Sequence, residues 1–238
     1  MWRIHETAVV MADIEPGAKE ARGRVILVWD SPTRLFHWAT VALIVVAYVA
    51  YLLGWMDWHA RAGDAVLTLV VFRLLWGFFG SDTSRFSRFV AAPRAAFAHL
   101  RRLFFREPDR QVGHNAAGGW MVLLLLALIF GEALSGVYVQ NEVANQGPLS
   151  DITPARIANA ITAIHRIFWD AILAAVALHI LAIALYATAK GHDLVRPMIT
   201  GVKMLPAGVA QPAVASPLRA ALLLGASALV VATLAAFL

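Results

Sequence analysis

Long apolar runs alternate with short basic stretches along this chain. Five runs approach the ~20 residues that an α-helix needs to cross a bilayer. They lie at about 36–55 (FHWATVALIVVAYVAYLLGW), 59–80, 118–140, 161–189 and 218–238. The first four carry Trp, Phe or Tyr near their ends, where interfacial anchors belong. The fifth, LRAALLLGASALVVATLAAFL, is rich in small residues and reads as a plain anchor. The pattern predicts an all-α membrane protein: a four-helix transmembrane bundle plus a fifth, C-terminal transmembrane helix. Between the second and third runs, Phe97, Leu100 and Phe104 recur at helical spacing beside Arg94, Arg101 and Arg102. That mixture predicts a short helix lying on the inner membrane surface.

Charge orients the bundle. Arg3, Lys19, Arg22, Arg24 and Arg34 precede or open the first helix, and the first loop has only Arg61. The second loop holds seven arginines (85, 88, 94, 101, 102, 106 and 110). The third has Arg156, with Arg166 at the start of the fourth helix, and the last has Lys190, Arg196 and Lys203, followed by Arg219. Basic loops stay in the cytoplasm, so the N-terminus is expected inside. Five spans then put the C-terminus outside. The expected location is a membrane crossed several times.

Composition agrees and narrows the chemistry. Hydrophobic residues make up 60% of the 238, and charged residues 15%, against roughly half and a quarter in a soluble domain. The net charge of +5 fits basic membrane loops better than nucleic-acid binding. There is no cysteine, which excludes disulfides, iron–sulfur clusters and the Cys-x-x-Cys-His attachment of a c-type haem. The first 24 residues lack an apolar signal-peptide core, so no cleaved signal is expected.

The candidate chemistry lies in the histidines. His165 and His179 stand fourteen residues apart on the fourth run. On a helix that is close to four turns, so both imidazoles share a face, ~21 Å apart along the axis. Polar groups at membrane depth mark function. In the predicted topology His37 lies at the inner end of the first helix and His59 at the outer start of the second. His165 lies at the outer start of the fourth, and His179 lies deeper, toward the inside. Depth therefore pairs His37 with His179 and His59 with His165. Each pair joins two helices, as bis-imidazole ligation of a haem requires. Two b-type haems are the expected cofactors.

Other residues fit around this frame. Gly63, one turn after His59, offers space for a macrocycle, as do Gly118 and Gly119, although small residues also serve helix packing. Arg73, fourteen residues after His59, shares its face but lies near the inner pair. It needs an anion, either a haem propionate or a carboxylate such as Asp30. His114 opens the third helix in Gly-His-Asn and is either a contact to cofactor or quinone or a polar residue of the helix start. His5 and His192 read as solvated, and His99 as part of the surface helix. Glu132 and Asp170 are outer-half carboxylates whose role stays open. The plain alternative for the four central histidines is an interfacial position that binds nothing.

Several motifs occur in order: Val28-Trp29-Asp30-Ser31-Pro32-Thr33-Arg34-Leu35-Phe36-His37-Trp38, His59 with Gly63, and Phe72-Arg73-Leu74-Leu75-Trp76-Gly77. They continue as Arg85-Phe86-Ser87-Arg88-Phe89, Gly113-His114-Asn115, Leu178-His179 and Asp193-Leu194-Val195-Arg196-Pro197-Met198. Together they resemble the prokaryotic cytochrome b561 family, which includes membrane subunits of nickel–iron hydrogenases. The resemblance covers about residues 25–203. It implies a four-helix bundle with two b-type haems on His37, His59, His165 and His179, and it places Arg34 among the candidate cofactor contacts. Ala116 departs from the proline that the family often has there. The expected organisation is a cytoplasmic segment over 1–24, a di-haem domain over 25–203, and a linker with an added helix over 204–238.

Three functions follow as expectations. The first is electron transfer between a periplasmic redox partner (a c-type cytochrome, hydrogenase or other dehydrogenase) and quinone, with the loop 140–160 as a docking surface. The second is a superoxide oxidase that passes electrons to ubiquinone, drawing its anion by outer positive charge. Arg61, Arg156 and Arg166 would supply that charge, against Asp57, Glu142, Asp151 and Asp170. The third is a colourless anchor subunit. Association as a homodimer is compatible with all three.

Overall fold

The computed structural model describes residues 23–102, 105, 109–139 and 154–237. The sequence expectations for Phe104, for most of the loop 140–160 and for the segment before Gly23 lie outside those residues.

Five helices among the described residues are long and apolar enough to span a membrane. They are α1 (Ser31–Leu52), α2 (Met56–Phe79), α4 (Ala116–Tyr138), α5 (Ala155–Leu185) and α7 (Pro217–Phe237). A short helix α3 (Pro93–Arg101) lies between α2 and α4. Another, α6 (Val195–Thr200), follows α5. The helix starts carry local signals. Asp30 caps α1, accepting from the Thr33 amide at 2.9 Å, with proline in the first turn. Asn115 caps α4 through the Gly118 amide at 2.8 Å. The 31 residues of α5 span ~46 Å, more than the ~30 Å hydrocarbon core, so α5 projects beyond it. Its last turn, Tyr186–Lys190, widens to a π-helix and stops at Gly191 in the left-handed region, φ 73°.

The α2 helix is the hub, packing against α1, α4 and α7, while α4 runs along α5. Val66, Leu67 and Val70 of α2 form the core with Leu126 and Ala133 of α4 and Val231 of α7. Outward faces are apolar as well: Val41, Val45, Val49 and Leu52 of α1 and Leu173, Leu181 and Ile180 of α5 are exposed. Apolar residues facing both core and surroundings are what a bilayer-embedded bundle requires. This is a multi-pass membrane protein whose spanning architecture is all α-helical.

Two features of one end were not expected. First, strands β1 (Arg24–Leu27) and β2 (Val202–Leu205) pair antiparallel, with Arg24 opposite Leu205. The Val28 and Trp29 amides both donate to the Gly201 carbonyl, at 2.8 and 3.0 Å. Ile26, Val28, Trp29 and Leu205 form a small apolar cap there. The hairpin ties the start of the bundle to the connection after α5 and crosses the boundary expected at 203/204. Second, α7 is more than a plain anchor. Its linker is bonded to the turn after α2: the Asp82 amide donates to Ala213, the Ala213 amide to Asp82 Oδ2, and the Ala215 amide to Ser81 Oγ. Arg219 then donates to the Phe79 carbonyl at 3.1 Å.

The basic side chains follow this asymmetry. Among the described residues only Arg61, Arg156 and Arg166 lie toward the end away from the hairpin; the rest, Arg73 aside, crowd the hairpin end.

Asp30 couples the cap to the bundle. It is buried at 3% exposure, and its Oδ2 accepts from Trp76 Nε1 of α2 at 3.1 Å. Replacing Asp30 by Ala removes a helix cap and orphans a buried indole N–H, costing about 2–4 kcal/mol. Thermal unfolding in detergent is expected to drop by several degrees in D30A. A midpoint within one degree of the parent would contradict this role.

Candidate cofactor-binding site

The histidines gather at two levels of the bundle. At the open end, His59 near the start of α2 faces His165 of α5, ring centroids 6.3 Å apart and planes at 81°. Each ring is held through Nδ1. His59 Nδ1 lies 3.0 Å from the Ala47 carbonyl of α1. His165 Nδ1 lies 3.0 Å from both the Glu132 carbonyl and Ser135 Oγ of α4. A carbonyl accepts, so it fixes the proton on Nδ1 and leaves Nε2 as the electron-pair donor. Metal-binding imidazoles are oriented in this way. Gly136 lets the second ring lie against α4: a Cβ there would stand 3.2 Å from His165 Cε1. Glu132 Oε1 is 3.3 Å from His165 Nε2, and its buried Oε2 has no partner.

The spacing suits one iron between the two rings. An imidazole nitrogen sits ~2.0 Å from a bound metal, and the ring adds about 1 Å to its centroid, so two imidazoles that shared one metal would have centroids ~6 Å apart. Among the described residues no three His, Cys, Asp or Glu side chains converge on one point. A bare ion such as zinc needs about four protein ligands; a haem iron needs only two. Gly63 adds a second sign. A Cβ there would meet nothing within 4 Å, so this glycine borders open space rather than a neighbouring helix. Gly119, by contrast, is pressed against Phe89, where a Cβ would stand 2.7 Å from its carbonyl oxygen, and serves packing.

At the hairpin end, His37 of α1 and His179 of α5 lie within electrostatic reach of each other. His114, in the turn before α4, and Arg73 of α2 belong to the same group. Arg73 is 2% exposed. One of its nitrogens donates to the Ser84 carbonyl at 3.2 Å, and its guanidinium lies over Phe86. Its other terminal nitrogen is buried without a partner. Asp30 is near but makes no ion pair with it; its oxygens accept from Thr33 and Trp76. The Nδ1 atoms of His37 and His114 are also buried and unpartnered. Three donor-capable groups facing one region without partners fit a group with carboxylates and an open coordination position.

Arg34 has a different setting. It donates to Ile199 and Ser31, fastening α1 to α6, and only its Nε is left over. Sequence reasoning passed over Ser135 and the Ala47 carbonyl, which no motif marks. It also took His192 as solvated. The ring is mostly buried, 3.8 Å from Asp109, which Lys203 contacts too. His99 lies on the surface helix as expected but hydrogen-bonds Tyr186, which Asn115 also contacts at 3.0 Å. Asp170 is exposed.

Apolar spanning helices bring histidines together at two levels, with a buried arginine beside one group, an arrangement a membrane-embedded cytochrome would have. The chain belongs to the prokaryotic cytochrome b561 family, whose pattern matches residues 28–201. It is also similar to a protein of Bradyrhizobium diazoefficiens described as a probable Ni/Fe-hydrogenase B-type cytochrome subunit, at 25% identity. That match takes in 54% of this chain and 65% of the relative, so the chain spans just under two thirds of its length. The protein is thus a membrane protein of the cytochrome b561 class.

His114 is packed between Trp29 and Phe89, centroids 4.5 and 4.8 Å away. Burial, reinforced by Arg73, His179 and His37, pushes its pKa down from 6.5 to about 3. The folded state thus prefers neutral His114. The resulting stability is fully present above the unfolded pKa of about 6.5 and is lost as pH falls toward 3, by roughly 1.4 kcal/mol per unit. H114Q is expected to flatten the unfolding free energy between about pH 6 and pH 4. Parallel curves for the two proteins would show that the imidazole is not held neutral.

Proposed function

We propose that the protein carries two b-type haems, one between His59 and His165 and one between His37 and His179. On this reading it conducts electrons between a redox protein at the open end and quinone in the bilayer. The observation that carries it is the facing pair His59–His165, with both Nδ1 atoms on hydrogen-bond acceptors and centroids one iron's width apart. Bound haem supplies a one-electron carrier. The chain supplies the rest. The Ala47 and Glu132 carbonyls and Ser135 aim the outer imidazoles, and Glu132 Oε1, 3.3 Å from His165 Nε2, would give way there to a bound metal. Gly63 leaves room for the macrocycle. Arg73 offers its free nitrogen to a propionate, and His114 stays neutral beside the inner ring.

The ~21 Å along α5 between His165 and His179 supports carriers near opposite faces of a ~30 Å hydrocarbon core. The crowding of basic residues at the hairpin end supports placing that end, and the N-terminus, in the cytoplasm. The open end then faces the periplasm, and the hydrogenase subunit named among the relatives supports a protein partner there. The superoxide reading draws less support. Of the outer arginines, Arg61 leans over Trp58 at 5.6 Å, and Asp57 and Asp170 oppose the positive charge. An anchor without haem would leave the buried Arg73 nitrogen and the His37 ring without a purpose.

Single ligand variants test the pairing. H165A and H179A are each expected to retain about half of the haem of the parent and to lose one of two waves in a potentiometric titration. S135A should keep both haems and shift one wave. Full haem content with two unshifted waves in H165A would refute the outer pair.

A further inference from the structure

The short helix α3 has no role in the account above, and its surface is unusual. The described stretch 85–102 contains no Asp or Glu. Arg85 and Arg88 at its start are engaged by Asp82, at 3.5 and 4.0 Å. Arg94 and Arg101 are exposed, and no carboxylate pairs with either among the described residues.

Position and periodicity say what such a helix faces. Trp120, on the first turns of α4, donates its indole N–H to the Ala91 carbonyl at 3.0 Å and is 39% exposed. A half-exposed tryptophan at the start of a spanning helix sits at headgroup level, so it fixes the chain just before α3 at that depth. Farther along, His99 is tied to Tyr186 at the inner end of α5. The helix axis is thus pinned across the hairpin-end mouths of α4 and α5.

At about 100° per residue, Ala96 and His99 point inward. Leu100 and Phe97 occupy one outer flank, and Arg101 and Arg94 the flank beside it. Ala96 is buried, whereas Phe97 is 65% and Leu100 51% exposed; Phe105, 64% exposed, lies just past the helix. A nine-residue helix is marginal by itself in water. An apolar flank next to a basic flank, in the plane of the interface, is the pattern of a surface-lying membrane helix.

We propose that α3 is an in-plane anchor that binds anionic phospholipid headgroups through Arg94 and Arg101, with Phe97 and Leu100 seated at the acyl boundary. The occupant follows from charge: two arginines that no carboxylate among the described residues pairs with, at headgroup depth, match lipid phosphates that carry net negative charge. Zwitterionic lipid offers no net attraction. This site is independent of the haem ligands, and its success or failure leaves their assignment untouched.

The test uses the full-length haem-loaded protein in mild detergent. Thermal unfolding is followed while phosphatidylglycerol, phosphatidylcholine or inorganic phosphate is titrated. Phosphatidylglycerol is expected to raise the midpoint, and phosphatidylcholine and phosphate are not. In the double variant R94Q/R101Q the apparent affinity for phosphatidylglycerol should fall roughly 30-fold, about fivefold per arginine, and added salt should weaken the parent in the same direction. R88Q, which alters an arginine already engaged by Asp82, should bind as the parent does. An unchanged affinity in R94Q/R101Q would overturn the proposal. So would an equal response to phosphatidylcholine, or a response to free phosphate as large as that to the lipid.

Discussion

An imidazole inside a bilayer is tolerated only when both of its nitrogens have somewhere to go, because lipid offers no hydrogen bonds. Much of this architecture serves that condition. At the open end, one nitrogen of each ring is placed on a backbone carbonyl, Ala47 for His59 and Glu132 for His165. The other nitrogen of His165 lies 3.3 Å from Glu132 Oε1. The carbonyls come from α1 and α4, neither of which carries the histidine they hold. The pair therefore exists only when four helices are assembled, with α2 as the shared wall.

At the hairpin end no protein group meets that condition for His37 and His114, whose Nδ1 atoms are buried without a partner. There the polar groups are numerous, and the structure encloses them: Trp29 and Phe89 cover His114, Phe86 covers Arg73, and the β1–β2 hairpin closes over Trp29. Asp30, Thr33 and Ser84 lock the first turn of α1 to the turn after α2; the Thr33 and Ser84 hydroxyls are 2.7 Å apart. The linker to α7 adds backbone bonds to that same turn. The two levels thus differ in access as well as in depth. One lies beneath a stitched cap, and the other has no such cap among the described residues.

Much of this was legible in the sequence because it depends on regular periods. Hydropathy located the five spans to within a few residues of α1, α2, α4, α5 and α7, and the interval between His165 and His179 put two rings on one face. Combined with loop charge, it also anticipated that His59 would meet His165. The isolation of Arg73 from Asp30 was left open, since the choice turned on where the Asp30 oxygens point. What escaped depends on contacts distant in sequence or on atoms that every residue has. Strands of four residues joined across the whole bundle leave no periodic signal. A backbone carbonyl at Ala47 cannot be told from any other, and Ser135 reads as one small polar residue in an apolar helix. His192 was taken as solvated because its partner Asp109 lies far along the chain. The packing of α7 on α2 escaped for a similar reason: a run of small apolar residues fits lipid and protein equally well.

The central claim is that paired histidines hold two cofactors at two depths. Its most direct test is the pyridine haemochrome of the purified protein, read per polypeptide and joined to a reduced-minus-oxidised spectrum. Two b-type haems per chain with a split low-spin signal are expected. A protein that binds one haem, or none, when supplied with excess haem during expression would contradict the claim.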